Sequence, residues 1–302
     1  MKKARNNPKK GTPTSPEVVF GNSALGENLL QMLKNSTASH QRVADYLLRH
    51  PIKVTGYGID EFAEKCEVSS ATVSRFVRSL GLNSYADLRA ALAEVLQQST
   101  LNPVEKLRTT IERRNTSPAQ DSLDSALANI SLTSNALSSE EFNAIVRKII
   151  QAKTIYVMGF GLSAHMAGLL VQHLQPFCHH VVEVVGIGGT EVAIANLLKI
   201  NSRDVMIPIS LPRYTNEGIH LTRYARERGA CIVSITDAMA SPLVELSDHF
   251  LLVKSEHAVL PSSSAALVCM IEALTASVMA SSKNNVEQAM SLSSAIDDYM
   301  YK

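Results

Sequence analysis

The sequence predicts an all-helical N-terminal domain with a helix-turn-helix, followed by a C-terminal α/β domain with a five-stranded parallel sheet flanked by helices. Over residues 23–98, apolar residues recur at the spacing of amphipathic helices. From residue 154 onward, short apolar runs alternate with helical segments, as in parallel sheets with crossover helices. We expect a disordered basic tail over residues 1–22, a linker over 99–120, and the α/β domain over 121–302.

Charge is unevenly distributed along the 302 residues. Residues 1–115 contain 17 Lys and Arg against 11 Asp and Glu, whereas residues 116–302 contain 12 and 17. A basic first part and an acidic second part predict a polyanionic partner for the first part alone. Chance scatter of surface charge is the alternative.

Cysteine usage and hydropathy narrow the class of protein further. The four cysteines lie far apart without a C-x-x-C pair, so neither a disulfide framework nor a zinc site is indicated, and we expect no metal and no cofactor. The Lys-rich N-terminus lacks the apolar core of a signal peptide. No apolar run is long enough to cross a bilayer, so we expect a cytoplasmic protein without a membrane partner.

The segment Ser69–Gly81 reads as a helix with two different faces. Ser69 suits the N-cap and Gly81 the C-terminal stop. One face is an apolar stripe at helical spacing, formed by Val73, Phe76, Val77 and Leu80. The other face is small, hydroxylic and basic, which suits a DNA major groove because arginine pairs bidentately with guanine. The residues predicted to contact DNA are Ser70, Thr72, Ser74, Arg75 and Arg78. An ordinary amphipathic surface helix is the alternative.

The residues before this segment favour the DNA-binding interpretation. A preceding helix is expected to end at Pro51, followed by a Gly-rich turn over Thr55–Gly58. A short helix over Ile59–Cys66 then leads into the segment described above. Ala63 suits a close helix crossing, and Val73 lies ten residues later, where the second helix packs back. This is the layout of a helix-turn-helix.

Five apolar runs predict the strands of the second domain: Thr154–Met158, Val181–Val185, Asp204–Ile209, Cys231–Thr236 and His249–Val253. Ligands of parallel sheets bind outside the carboxyl ends of the strands. Three loops are therefore informative: Gly159–Ser163, Ser210–Glu217 and Pro261–Ser264. They combine glycines, which admit a close ligand, with hydroxyls at helix starts and one arginine, a set that favours phosphate or carboxylate.

The residues predicted to bind this anion are Gly161, Ser163, Ser210, Arg213, Thr215 and Ser262. The glycine loop is not a dinucleotide fingerprint, because Ala164 occupies the position of the third glycine. A tight strand-to-helix turn and a capped helix start with a solvated arginine are the alternatives for these loops.

In combination, these features resemble the RpiR (MurR/HexR-type) bacterial transcriptional regulators, in which a helix-turn-helix precedes a sugar isomerase (SIS) domain with a flavodoxin-like sheet. The matching residues are Ala63, Val68–Ser69, Thr72, Ser74–Phe76 and Leu80–Gly81 in the first domain, and Gly159, Gly161, Ser163, Ile209–Ser210, Thr215, Thr236–Asp237 and Ser241–Leu243 in the second. The resemblance implies a double-stranded DNA operator with an inverted repeat, and a homodimer or homotetramer formed through the SIS domain. It also implies a phosphosugar effector, which we widen to a small anionic metabolite, a sugar phosphate or sugar acid. We expect no catalytic residue.

Two positions depart from the family pattern. Glu67 stands where members usually carry glycine in the turn of the helix-turn-helix. The loop after the third strand usually reads Ser-x-Ser-Gly-x-Thr, but here Pro212 replaces the second serine and Arg213 the glycine. A hydroxyl is lost and a cation gained, so we expect Arg213 to face the anion of the effector.

Two other functions remain open at this point. SIS domains also occur in phosphosugar isomerases, which need a base beside a carbonyl, and the available candidates are His165, Glu217, His257 and Glu272. None of them forms a visible pair with a second acid or base, and an isomerase has no need of a helix-turn-helix. A metabolite-binding protein whose first helices only mediate assembly is the third option, against which Arg75 and Arg78 argue.

Overall fold

The structure, a computed structural model, describes residues 20–21, 23–98, 103–112, 117–186, 188–212, 214–297 and 299–300. The first part of the described chain is helical. Its elements are α1 (Ala24–Asn35), α2 (Ala38–Arg49), α3 (Pro51–Gly56), α4 (Ile59–Lys65), α5 (Ser70–Ser79), α6 (Tyr85–Gln98) and α7 (Pro103–Glu112).

The second part alternates helices and strands. Its elements are α8 (Pro118–Ala136), α9 (Ser139–Gln151), β1 (Ile155–Gly159), α10 (Leu162–Leu174), β2 (Val181–Glu183), α11 (Gly189–Leu197), β3 (Val205–Ser210), α12 (Asn216–Glu227), β4 (Cys231–Thr236), β5 (His249–Leu252), α13 (Ala265–Met279) and α14 (Asn284–Asp297). A single 3-10 turn, Val244–Leu246, lies between β4 and β5 in the described residues.

The sheet has five parallel strands in the order β2-β1-β3-β4-β5. Ile155 of β1 is paired with Val181 on one side and Val205 on the other. Alternate side chains of β1 enter the two cores: Ile155 packs with helices α9, α10 and α13, and Tyr156 packs with α11 and α12. The predicted fold class is confirmed. The strand order reverses between β1 and β3, where such sheets bind ligands.

Helix α5 buries the apolar stripe that its sequence predicts. Val73, Phe76 and Val77 are fully buried, and Leu80 packs partly against the same core. The hydroxyl of Ser69 accepts a hydrogen bond from the Thr72 amide at 3.2 Å, which caps the helix. The opposite face of α5 is therefore left toward solvent.

Two expectations about the first domain were wrong. Pro51 does more than end α2: it begins α3, so Thr55 and Gly56 are helical instead of forming a turn. Proline suits the first helical position because its missing N–H needs no partner there.

Phe20 and Gly21 are buried, with Phe20 in the core of the helices, so the predicted tail does not extend through them. An aromatic ring has much apolar surface to bury, whatever the polarity of its sequence neighbours. Residues 1–19 and 22 lie outside the described part.

Glu67, between α4 and α5, has a φ of 54°. A left-handed backbone at a residue with a Cβ costs roughly 1–2 kcal/mol. The structure therefore places strain in the turn of the helix-turn-helix, at the position where the family pattern has glycine.

Replacing Glu67 with glycine is expected to stabilise the protein by about 0.5–1 kcal/mol. The steric cost of the left-handed backbone is removed, and the greater conformational entropy of glycine in the unfolded chain offsets only part of this gain. Urea unfolding followed by circular dichroism measures this. Glu67→Ala removes the same carboxylate but keeps the Cβ, so it should bring no gain. Equal stabilisation by alanine and glycine would show that charge, not backbone geometry, governs this position.

The C-terminal helix α14 was not foreseen from the sequence. It buries none of its residues and leaves apolar side chains such as Val286 and Met290 exposed.

Across the described chain, no individual helix has the length and apolarity to cross a membrane. Helices α13 and α14 meet those criteria only when taken together, and they are bent by 115° at their junction.

Candidate functional site

A cavity of about 400 Å³ lies at the carboxyl ends of β1 and β3, where the strand order reverses. Five of the six residues predicted to bind an anion line it: Gly161, Ser163, Ser210, Thr215 and Ser262. The sixth, Arg213, lies outside the described residues. Residues far apart in sequence therefore meet at one site, because parallel strands bring their carboxyl ends to the same edge.

The turn from β1 into α10 is built on two glycines with different roles. A Cβ on Gly159 would stand 2.1 Å from the carbonyl oxygen of Ser163, so only hydrogen fits between strand and helix. Gly161 has a φ of 58°, in the left-handed region that side chains avoid. Together the glycines bring the buried Ser163 into the first turn of α10, at the edge of the cavity.

Four serines are among the residues that line the cavity. The hydroxyls of Ser163, Ser210, Ser262 and Ser264 have no protein hydrogen-bond partner among the described residues. The hydroxyl of Thr215 accepts a bond from the Gly218 amide at 3.1 Å and caps α12, while its own proton remains available. Helices α10, α12 and α13 all begin beside this group. Their N-terminal amides and dipoles favour an anion.

The remaining walls of the cavity are apolar. Met158, Met166, Ile219, Leu260 and Leu267 contribute to them, and no described lining residue carries a charge. An anion held there would be bound by hydroxyls and backbone amides, with the apolar surface of the ligand against these side chains. Among the described residues, no group of three or more His, Cys, Asp or Glu is placed to hold a metal ion.

None of the four candidate bases for isomerase chemistry lines the cavity. His165 and Glu217 are exposed on the first turns of α10 and α12, and Glu272 is exposed on α13. Both ring nitrogens of His257 are engaged: Nε2 lies 2.9 Å from the Ser122 hydroxyl, and Nδ1 accepts two backbone amide bonds. Burial, and then the charge of Lys106, lowers the pKa of His257. Its ring is thus a neutral structural link.

The polar face of α5 divides into bonded hydroxyls and exposed arginines. The Ser70 hydroxyl donates to Asp60 at 2.5 Å, and that of Ser74 donates to the Ser70 carbonyl at 3.1 Å. Arg75 is exposed and donates from Nη2 to the Thr72 hydroxyl at 3.2 Å. Arg78 is exposed one turn further along the helix. The arginines are therefore more accessible to a partner than the serines.

Sequence reasoning missed one residue of the site and one contact beside it. Ser264 lines the cavity, although its neighbour Ser262 was chosen from the same serine run. Tyr214, inside the loop after β3, donates from its hydroxyl to Asp237 at 2.5 Å. Burial, and then the charge of Asp237, raises the pKa of Tyr214 well above its ordinary value. The only signal for this pair was that Thr236–Asp237 resembled the family.

Comparison with known families agrees with both domains. Residues 24–99 match the helix-turn-helix domain of the rpiR family, and residues 148–282 match the SIS domain. The HTH-type transcriptional regulator HexR of Pseudomonas aeruginosa is 28% identical over 228 residues, which cover 74% of this chain and 76% of HexR. An uncharacterized HTH-type transcriptional regulator of Haemophilus influenzae is 26% identical over 227 residues, covering 73% and 76%.

Solved structures show the same architecture. The Vibrio vulnificus NanR protein, solved in complex with ManNAc-6P, aligns over 91% of this chain and all of its own, with a TM-score of 0.55 and 23% identity. The sugar isomerase domain of an RpiR transcription factor from Sphaerobacter thermophilus covers 60% of this chain and 98% of its own, with a TM-score of 0.52 and 26% identity. The chain therefore belongs to the rpiR family of helix-turn-helix transcriptional regulators, with a SIS domain as its second domain.

Proposed function

We propose that this protein is a sequence-specific DNA-binding regulator whose operator affinity is controlled by an anionic metabolite, a sugar phosphate or sugar acid, bound in the SIS domain. One observation carries the effector half of this proposal. Four serine hydroxyls without protein partners in the described residues face one cavity, beside the N-termini of three helices. Phosphate and carboxylate groups fit such a set of donors.

For the DNA half, the proposed contacts are Ser70, Thr72, Ser74, Arg75 and Arg78 on α5. The exposed arginines and the buried opposite face support this orientation of the helix. We propose a homodimer or homotetramer assembled through the SIS domains, in which paired α5 helices read an inverted repeat. Half-sites would lie about 34 Å apart, one turn of DNA, or a multiple of it. The exposed apolar residues of α14 are consistent with self-association.

The proposed effector contacts are Gly161, Ser163, Ser210, Thr215 and Ser262, with Arg213 as the cation. One relative gives the effector class some support, because the Vibrio vulnificus NanR protein was solved in complex with ManNAc-6P. In this chain Pro212 replaces a serine of the family pattern and the walls are apolar, so fewer hydrogen-bonding side chains are available to the hydroxyls of a sugar. We therefore place the anionic end of the metabolite, and not its hydroxyls, at the serines.

The isomerase alternative is less well supported. A base must stand within hydrogen-bond reach of the proton it moves. The four candidate bases are exposed or already bonded, and none of them lines the cavity. We propose that the SIS domain binds its ligand without turning it over. Turnover of any aldose or ketose phosphate by the purified protein would reverse this conclusion.

A thermal-shift screen against sugar phosphates, sugar acids and small carboxylates tests the proposal, followed by operator binding with and without each hit. We expect at least one such anion to raise the melting temperature and to change operator affinity. A metabolite-binding protein whose first helices only mediate assembly would bind the anion but no defined operator. Absence of salt-dependent operator binding would therefore exclude the proposed function as a DNA-binding regulator.

Arg213→Ala is expected to weaken binding of the most stabilising anion by about tenfold or more, because a hydrogen bond to a charged group contributes roughly 1.5–3 kcal/mol. Isothermal titration calorimetry measures the change. Arg213→Lys keeps the charge but loses the planar fork, so an intermediate affinity is expected. Unchanged affinity in Arg213→Ala would remove this residue from the site.

A further inference from the structure

The two domains meet at the loop that follows β4. Gly21 lies so close to Ala238 that a Cβ added to the glycine would stand 3.0 Å from the Ala238 Cβ. Met239 is 5% exposed and packs in the same apolar cluster as Phe20 and the helices of the first domain. Although both residues follow a strand of the second domain, Met239 packs into the core of the first domain and Ala238 lies against Gly21.

A buried lysine connects α1 to the same region. Lys254, just after β5, is 5% exposed; its Nζ donates to the Gly21 carbonyl at 3.2 Å and lies 3.7 Å from Glu27 Oε1. Burial lowers the pKa of Lys254, and the charges of Glu27, Glu256 and Asp237 act in the opposite direction. A shift of α1 would take Glu27, which lies on that helix, away from a buried charge, which is unfavourable. The position of α1 is thus sensitive to small movements at this interface.

Tyr214 links the interface to the cavity. It lies in sequence between Pro212 and Thr215, which both line the cavity, and its hydroxyl donates to Asp237, the residue before Ala238. A second bond joins the strand ends from which these two loops start, because Thr236 Oγ1 at the end of β4 donates to the Ser210 carbonyl at the end of β3 at 2.8 Å. The cavity loop and the interdomain loop are therefore in direct contact.

We infer that Tyr214 transmits occupancy of the cavity to the N-terminal domain, through Asp237 and the segment Ala238–Met239. This rests on the ligand-controlled regulation proposed above. An anion that draws residues 210–215 toward itself moves Tyr214, and the Tyr214–Asp237 bond carries the movement to the residues on which Phe20 and Gly21 pack. Tyr214 acts as a positioning residue: it contacts neither the anion nor the DNA.

Hydrogen–deuterium exchange of the full-length protein tests this link without any ligand. Tyr214→Phe removes one hydroxyl, and we expect several-fold faster amide exchange in α1 as well as around Asp237. Tyr224→Phe is the matched control, because it removes a hydroxyl that has no hydrogen-bond partner in the described residues from a half-buried tyrosine on α12. It should leave α1 unchanged. If Tyr214→Phe speeds exchange only in residues 210–215 and 236–243, the inference is overturned.

Coupling between sites is reciprocal, so a perturbation from the other side must also be felt. Gly21→Ala places a methyl group against Ala238, and we expect altered exchange in residues 210–215. Altered exchange at 238–239 with no change in 210–215 would contradict the inference independently of the Tyr214 variant. Failure of the proposed function has a different signature: α1 would respond to Tyr214→Phe, but no sugar phosphate or sugar acid would change operator binding.

Discussion

Arg75→Ala is expected to lower operator affinity about 5- to 150-fold, which corresponds to the loss of roughly 1–3 kcal/mol from a base-reading arginine. Arg75 lies in the middle of α5, and its guanidinium is oriented by the Thr72 hydroxyl at 3.2 Å. Since Arg75 is exposed on the face of α5 that we propose enters the major groove, it should contact base edges and read sequence. The variant should therefore lose affinity for the operator but not for a scrambled duplex, and it should tolerate substitution of the one base pair that Arg75 reads.

Arg78 is expected to behave differently, because it lies near the C-terminal end of α5. Arg78→Ala should weaken binding to all duplexes alike. It should also reduce the slope of the logarithm of the binding constant against the logarithm of salt concentration by about one. Fluorescence anisotropy at several salt concentrations, with an operator selected from random duplexes, separates the two effects. Arg226→Ala, an exposed arginine on α12, provides the same charge change away from α5. An equal loss of operator and scrambled-duplex binding in Arg75→Ala would show that Arg75 contacts only phosphate.

Local patterns predicted the elements that lie in the cores. The strand positions followed from apolar runs, and the buried face of α5 followed from the spacing of Val73, Phe76 and Val77. The left-handed turn at Glu67 followed from the family pattern. Each of these depends on residues that are close in sequence, so a short window contains the necessary information.

The features that were missed depend on partners far along the chain. Phe20 is buried by helices that follow it, while its own neighbours have the composition of a disordered tail. Tyr214 and Asp237 are on loops after different strands, and no local sequence pattern in either loop predicts the hydrogen bond between them. Pro51 illustrates a separate difficulty: proline both ends one helix and begins the next, and the sequence alone does not distinguish the two roles.

Gly159→Ala is expected to destabilise the second domain by about 3 kcal/mol and to abolish anion binding. The added Cβ would stand 2.1 Å from the Ser163 carbonyl oxygen and 2.4 Å from its carbon. These are backbone atoms within the first turn of α10, so they cannot rotate away as a side chain would. The strand and helix must separate, which moves the Ser163 hydroxyl and the helix N-terminus out of the cavity edge.

Gly161→Ala should have a smaller effect of another origin. No atom lies within 4 Å of an added Cβ, but the φ of 58° makes a side chain unfavourable by roughly 1–3 kcal/mol. Gly56→Ala is the control, because its Cβ would also meet open space and its φ is not left-handed; it should raise stability by up to about 1 kcal/mol or leave it unchanged. The chain contains no tryptophan, so urea unfolding is followed by circular dichroism.

The relative losses of stability and of anion binding in Gly159→Ala and Gly161→Ala distinguish two explanations of how the glycine loop positions Ser163. If close approach of β1 and α10 positions Ser163, Gly159→Ala loses both stability and the thermal shift produced by the best anion, while Gly161→Ala loses stability but retains much of that shift. If the left-handed turn alone positions Ser163, Gly161→Ala is the more damaging change. Wild-type stability and anion binding in Gly159→Ala would show that α10 withdraws freely, and then the serine hydroxyls could not be a preorganised anion site.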